Sequence, residues 1–414
     1  MKTDKLPLSL YIHIPFCKKK CLYCDFLSAP ACAQEREDYV KALLREISVM
    51  AKLCEEYRVI SVFFGGGTPS LLSSSQMERI MSAIRKGYDL CEDAEITVEC
   101  NPATADLPKL SAYRECGINR LSIGLQSAND KELKELGRIH NYRQFLETFD
   151  AARKAGFTNI NVDIMSALPG QTYESYMYTL TSVISLHPEH ISAYSLIIEE
   201  GTPFYERYGE GTANKVVQGM ESAPIYPQLP DEDTERKMYH DTAKVLQKEG
   251  YLRYEISNYA QKGYECRHNM TYWTGIEYLG LGLGASSYFR GYRYKNITDL
   301  NDYIQKCMER LSIQNILQGA AESMLDSPLT DEIVALTVKD KMEEYMFLGL
   351  RLKKGVSMHR FQQQFGVSMD NAYGKVIGKL KQEGLLLQQG DSLRLSKKGT
   401  DLANYAMSHF ILED

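Results

Sequence analysis

The feature that most constrains this chain is a pattern repeated over its first half. Six short runs rich in β-branched and aromatic residues, "LSLYIHI", "VISVFFGG", "AEITVEC", "INRLSIGL", "TNINVDIM" and "HISAYSLI", are separated by helix-period segments such as "EDYVKALLREISVMAKLCEEY" and "YRQFLETFDAARKAG". Apolar strands alternating with helices predict βαβ units joined into a parallel sheet. Six units in succession predict an α/β fold, a partial (β/α)6 barrel of TIM-like plan within residues 1–235. Barrel chemistry gathers at the C-terminal ends of strands. The unusual residues stand there: three cysteines after the first run, "GGGTP" after the second, Glu99 ending the third and Gln126 ending the fourth. Asp163 lies just before the end of the fifth.

The rest of the chain changes character twice. Residues 205–235 are rich in Gly, Pro and charge and read as a mobile insertion. Residues 236–335 read as an α/β extension with an aromatic, glycine-rich section from Tyr251 to Tyr294. Residues 336–414 read as three short helices, a hairpin turning at Gly390–Asp391 and a closing helix, which together make a small winged-helix-like α+β domain. Winged helices often bind DNA, but these helices mix acidic and basic residues without a basic stripe. The whole chain carries a net charge of −6, so no nucleic-acid partner is expected. The first residues lack a long apolar segment, and no run of about 18 apolar residues occurs, so the expectation is a cytoplasmic protein. Ten cysteines in a reducing compartment do not predict disulfides. Scattered ones such as Cys32, Cys54 and Cys307 are expected to be small buried hydrophobes, and clustered ones to be ligands.

The cluster is "CKKKCLYCDF", with Cys17, Cys21 and Cys24 at Cys-x3-Cys-x2-Cys spacing. Three thiolates are one short of a structural zinc site, and the nearest spare donors, Cys32 and His13, fall at no usual zinc spacing. A [4Fe–4S] cluster held by three cysteines leaves one iron open. The loop, the "GGGTP" motif and the barrel order resemble the radical S-adenosylmethionine (SAM) superfamily. The resemblance implies that Cys17, Cys21 and Cys24 ligate the cluster and that the amino and carboxylate groups of SAM chelate the open iron. One electron from the cluster can then cleave the sulfonium. Lys18, Lys19 and Lys20 would attract an acidic electron donor such as flavodoxin or ferredoxin, or form a solvated charge run.

Within the superfamily the chain resembles the oxygen-independent coproporphyrinogen III oxidase-like family from residue 7 to the end. That resemblance implies SAM contacts from Tyr11, Tyr23, Gly66, Gly67, Thr68, Glu99, Gln126, Arg138 and Asp163, with Tyr23 against the adenine end. Two departures separate it from the decarboxylating oxidase. Phe26 stands where the oxidase has a further cysteine, and the first strand begins by about residue 8, without the oxidase's N-terminal extension. Both point to the haem-chaperone branch, whose His-Asn-x-x-Tyr-Trp signature matches "HNMTYW" here. That branch implies haem held by His268, Tyr272 and Trp273, with "ECRHN" and "GLGASSYF" forming the pocket wall. Ser286 stands where many members carry histidine. The implied role is to bind haem and deliver it to haem-requiring proteins, respiratory membrane enzymes among them, with a homodimer also expected. The alternative is a porphyrin-modifying radical SAM enzyme.

Overall fold

The computed structural model describes residues 5–209, 226–312 and 327–412. Strands β1 (Leu6–Ile14), β2 (Tyr57–Gly66), β3 (Leu90–Cys100), β4 (Arg120–Gln126), β5 (Ile160–Ser166) and β6 (His190–Ser195) pair in sequence order, all parallel. These are the six expected strands. The sheet is mixed, and its twelve described strands do not close into a barrel. Beyond β6 come β8 (Asn258–Ala260) and β7 (Leu252–Arg253), both antiparallel additions. On the other side β9 (Tyr278–Leu281) pairs parallel with β1, followed by antiparallel β10 (Ser286–Phe289), β11 (Tyr292–Asn296) and β12 (Thr330–Ala335). The stretch 236–335 therefore feeds both edges of one sheet, and Leu279, Phe289 and Tyr303 share an apolar core with β1–β6.

The two-residue period of each strand sorts apolar from polar. Leu8, Leu10, Ile12 and Ile14 of β1 are fully buried in the apolar core that the helix Ala33–Met50 shares, and the alternate residues Ser9, Tyr11 and His13 point to the other face. The same parity puts Val62 and Phe64, Val98, Leu121 and Ile123, Ile160 and Val162, and Ile191 on the helix side. It leaves Ser61, Glu95, Thr97, Glu99, Ser122, Gln126, Asn161, Asp163 and Ser192 for the concave side. The concave side is thus polar by construction, and it is wired. Ser61 donates to Ser9 at 2.7 Å, Asn161 to Ser122 at 2.8 Å, and Ser192 to Asn161 at 3.1 Å.

Of the expected insertion, residues 210–225 lie outside the described residues. Its described flanks are the helix Pro203–Tyr208 and the start of the helix Glu232–Lys248. The C-terminal module has the helices Val338–Gly349, Met358–Phe365 and Met369–Gln382. Its three-stranded sheet is formed by β13 (Val356–Ser357), β14 (Leu386–Gln389) and β15 (Ser392–Leu395), in the order β13-β15-β14. Its own core includes Met346, Phe361, Tyr373 and Phe410. The closing helix, expected as one piece, breaks at Leu402 into Lys397–Asp401 and Ala403–Ser408, with Ala406 and Phe410 packed into that core. Among the described residues no helix is long and apolar enough to cross a membrane.

Candidate functional site

The cysteine loop leaves β1 and is tied at its base and its middle. Phe16 bridges Ala29, whose carbonyl accepts from the Cys17 N–H at 3.1 Å, and the Ala29 N–H donates to the Pro15 carbonyl at 3.0 Å. Between Cys21 and Cys24, Leu22 donates its N–H to Leu136 O and accepts from the Phe204 N–H, both at 3.0 Å. The thiols end half-buried on one cavity of about 400 Å³ at the C-terminal ends of the strands. Cys17 Sγ lies 3.4 Å from Thr68 Oγ1, and Arg138 Nη1 donates to Cys21 Sγ at 3.7 Å. Burial, reinforced by the neighbouring thiols, pushes the Cys24 thiol up to about 11. Among the described residues no three His, Cys, Asp or Glu side chains converge on one ion. The spare donors considered for zinc are otherwise engaged. Cys32 caps the helix Ala33–Met50, accepting from the Glu35 N–H at 3.4 Å, and His13 is bonded as described below.

The glycines after β2 are bare for a reason internal to the chain. Gly66 has φ +105° with the His13 imidazole packed where a Cβ would stand. A Cβ on Gly67 would lie 2.7 Å from Phe16 O and 2.9 Å from Ile14 O. Backbone thus meets backbone: the Gly67 N–H donates to Ile14 O at 2.9 Å and the Thr68 N–H to Phe16 O at 2.7 Å. The "GGGTP" segment and the cysteine loop are locked together, and Thr68 is aimed at the first thiol.

The polar wall of the cavity comes from β3, β4 and β5. Glu99 accepts from the Gly66 N–H, and burial first, then the Asp163 charge, push its carboxyl up to about 8. Asp163 accepts from Asn161 Nδ2 at 2.7 Å and Ser122 at 3.3 Å, and burial raises it above the usual carboxylate range. Gln126 sits at a β-bulge with φ +73°, an uncommon conformation for a side-chain-bearing residue, and its buried Oε1 has no partner among the described residues. Arg138 donates Nη2 to Gly124 O at 2.5 Å, so the Gln126 and Arg138 side chains meet over bare Gly124. Tyr23 lies beside Arg138, with its ring centroid 6.3 Å from that of Phe204. An unpartnered acceptor, a guanidinium and two carboxylates around half-exposed thiols suit a zwitterionic ligand next to a cluster.

Eight of the nine expected SAM residues line this cavity. Tyr11 is the exception, set one layer down, where it stacks on Phe63 with centroids 6.4 Å apart. Its hydroxyl meets His13 Nδ1 at 3.1 Å, and His13 Nε2 meets Leu27 O at 2.9 Å. His13 therefore braces the far end of the cysteine loop. Sequence reasoning weighed it only as a metal donor. Its position on the inward parity of β1 is the signal that could have found this role.

The helix Arg267–Thr274 carries "HNMTYW" and packs against the polar face of the sheet at Ser61 and Glu95, away from the cluster cavity. The Glu95 carboxylate accepts from the N–H groups of Arg267 at 3.1 Å and His268 at 3.2 Å, an anion on a helix N-terminus. His268 is 1% exposed, with Nδ1 3.0 Å from Ser61 Oγ and Nε2 2.9 Å from Tyr272 OH. Burial, then the Arg120 charge, lower it to about 3, so it is neutral. The Tyr11 and Phe63 rings pack beside it, with centroids 6.4 and 5.0 Å away. Tyr272 and Trp273 face a second cavity, against the C-terminal module, and His268 does not. Of "ECRHN" and "GLGASSYF", expected to wall that pocket, only Tyr288 lines it. Cys266 is instead bonded to Glu95 inside the fold, and Gly282 and Gly284 press on His13 and Leu27.

Fold and site together are those of a radical SAM protein. The Radical SAM superfamily model matches residues 11–183, and the HemN C-terminal domain model matches residues 336–402. The solved structure of coproporphyrinogen III oxidase (HemN) from Escherichia coli, a radical SAM enzyme, superposes with a TM-score of 0.80 over 99% of this chain and 91% of that one. At 24% identity that likeness concerns the fold. The chain is 35% identical to a protein of Lactococcus lactis named heme chaperone HemW, over 99% of this chain and 98% of that one. It is 35% identical to the HemW of Bacillus subtilis over 98% and 99%, and 32% identical to that of Escherichia coli over 98% and 99%. The chain belongs to the HemW family. Membership in the radical SAM superfamily implies a [4Fe–4S] cluster and SAM, and the donors gathered at the 400 Å³ cavity fit both.

Proposed function

We propose that this protein is a haem chaperone: it binds haem on a radical SAM scaffold and passes it to haem-requiring proteins, acting in the cytoplasm. The observation that carries the reading over the decarboxylating one is Phe26. It is 63% exposed on the rim of the cluster cavity, in the place where the family resemblance implies a further cysteine for the decarboxylating oxidase. The end-to-end relatives that bear the chaperone name support it.

Cys17, Cys21 and Cys24 would hold the cluster, which when bound supplies one electron and an open iron. Gln126 Oε1, Arg138, Glu99 and Asp163 would take the polar end of SAM, with Thr68 and the Gly66–Gly67 backbone beneath it and Tyr23 towards the adenine. Tyr11 would act at one remove, through His13. Lys18, Lys19 and Lys20, all exposed, would receive an acidic electron donor. Haem would contact Tyr272 and Trp273. For His268 to ligate iron it would have to leave both Ser61 and Tyr272. In the conformation described it holds Tyr272 in place.

The test is a haem titration of the cluster-loaded protein followed by mixing with a haem-free acceptor. One haem per chain, surrendered to the acceptor, is the expected result. Failure to bind haem at all, or binding with no transfer, would sink the reading.

A further inference from the structure

A cavity of about 650 Å³ lies between the helix Arg267–Thr274, β10 and β11 on one side and the C-terminal module on the other. We propose that it binds a planar conjugated macrocycle with peripheral carboxylates, haem in this chain, and that the C-terminal module supplies the carboxylate-binding wall. The proposal rests on the chaperone reading and adds the place and the second wall.

Three observations carry it. The first is size: the space is larger than the cluster cavity and lies within the range of small-molecule sites. The second is aromatic surface. Tyr272, Trp273, Tyr288 and Tyr345 all line it, where flat rings can cover a flat ligand. The Arg351 guanidinium covers the Trp273 ring at 4.4 Å, and the buried indole Nε1–H has no acceptor among the described residues. The third is charge. Four basic residues line the cavity against two acidic ones, in a chain of net charge −6. Arg293 and Glu344 neutralise each other in a bidentate pair at 2.5 and 2.9 Å. Asp391 is taken up by Ser357 and by the His359 N–H. That leaves Lys341, Lys354 and Arg360, all from the C-terminal module and none in an ion pair among the described residues. Unspent cations beside an aromatic, partly apolar cavity are what a hydrophobic ring bearing carboxylates requires.

The test uses the full chain with its cluster in place, titrated with hemin and, separately, with hemin dimethyl ester, which lacks the free carboxylates. Lys341→Glu combined with Lys354→Glu changes two side chains that are not fully buried, and Leu348→Trp fills the cavity. For the double variant the expected result is a loss of hemin affinity of about tenfold or more, with the ester bound equally by variant and wild type. For Leu348→Trp the expected result is loss of hemin with unchanged iron and sulfide at the cluster. Hemin binding that survives all these changes overturns the proposal and leaves the chaperone reading standing. Wild-type protein that binds no hemin overturns both.

Discussion

Gly67→Ala is the sharpest structural perturbation of the site. The added Cβ would lie 2.7 Å from Phe16 O and 2.9 Å from both Ile14 O and Phe16 N. All three are backbone atoms of the segment that enters the cysteine loop, so no side chain can turn aside. Relief requires the "GGGTP" segment to move away from β1 by roughly half an ångström or more, a strain of about 1–3 kcal/mol for overpacking. The same movement weakens the bonds from Gly67 N–H to Ile14 O and Thr68 N–H to Phe16 O, each worth about 1 kcal/mol net. Together the docked geometry loses about 3 kcal/mol, which is about a hundredfold in its population. The loss is local: the core around β1–β6 keeps its packing, so the global unfolding midpoint should move little. The assay is anaerobic reconstitution with iron, sulfide and broadband absorbance per chain, followed by SAM binding. Expected are poor cluster retention and weak SAM affinity in a folded protein. Full iron and sulfide with wild-type SAM affinity would refute the claim that this backbone contact sets the site.

The remaining predictions are simpler. Cys21→Ala should abolish the brown cluster absorbance, and retention of full iron and sulfide would show the ligands to be misassigned. Gly374→Ala, inside the helix Met369–Gln382 with open space around the glycine, should stabilise the C-terminal module by up to about 1 kcal/mol, measured by urea denaturation of the full chain. A destabilised variant would contradict that packing. Buried Glu46 accepts from Tyr303 OH, the Gly282 N–H and Asn296 Nδ2, and burial pushes its carboxyl from 4.5 up to about 7. A raised value means that the folded state holds the proton more tightly. Its stabilising contribution is therefore full below about pH 4.5 and is lost as pH climbs through about 7, roughly 3 kcal/mol in all. Glu46→Gln should flatten the fall in stability between pH 5 and 8, and an unchanged slope would rule the carboxyl out as its source.

Much of this was legible because the relevant signals are local. Two-residue alternation in β1–β5 separates Ile12 from Tyr11 and Ile123 from Ser122, and strand ends mark where Glu99 and Gln126 must lie. The cysteine spacing and the glycine run need no long-range information. What stayed hidden depends on pairing across the chain. Nothing in "YLGL" says that β9 will lie beside β1, 269 residues earlier in sequence, so the extension read as a separate region. His13 looked like a stray donor because its partners, Tyr11 and Leu27, are visible only once the loop is folded. His268 looked like an outward ligand because a motif gives no direction, whereas Ser61 and the Glu95 carboxylate at the helix N-terminus turn it inward. The cavity beside Trp273 is made by two regions about 70 residues apart and has no signature in either.

The most direct measurement is a pair of anaerobic incubations of the cluster-loaded protein with SAM and a reductant, one with haem and one with coproporphyrinogen III, each analysed for bound haem and for porphyrin product by mass. The account predicts stoichiometric haem bound and recovered unaltered, with coproporphyrinogen III returned intact. A product short of two carboxylates would contradict it.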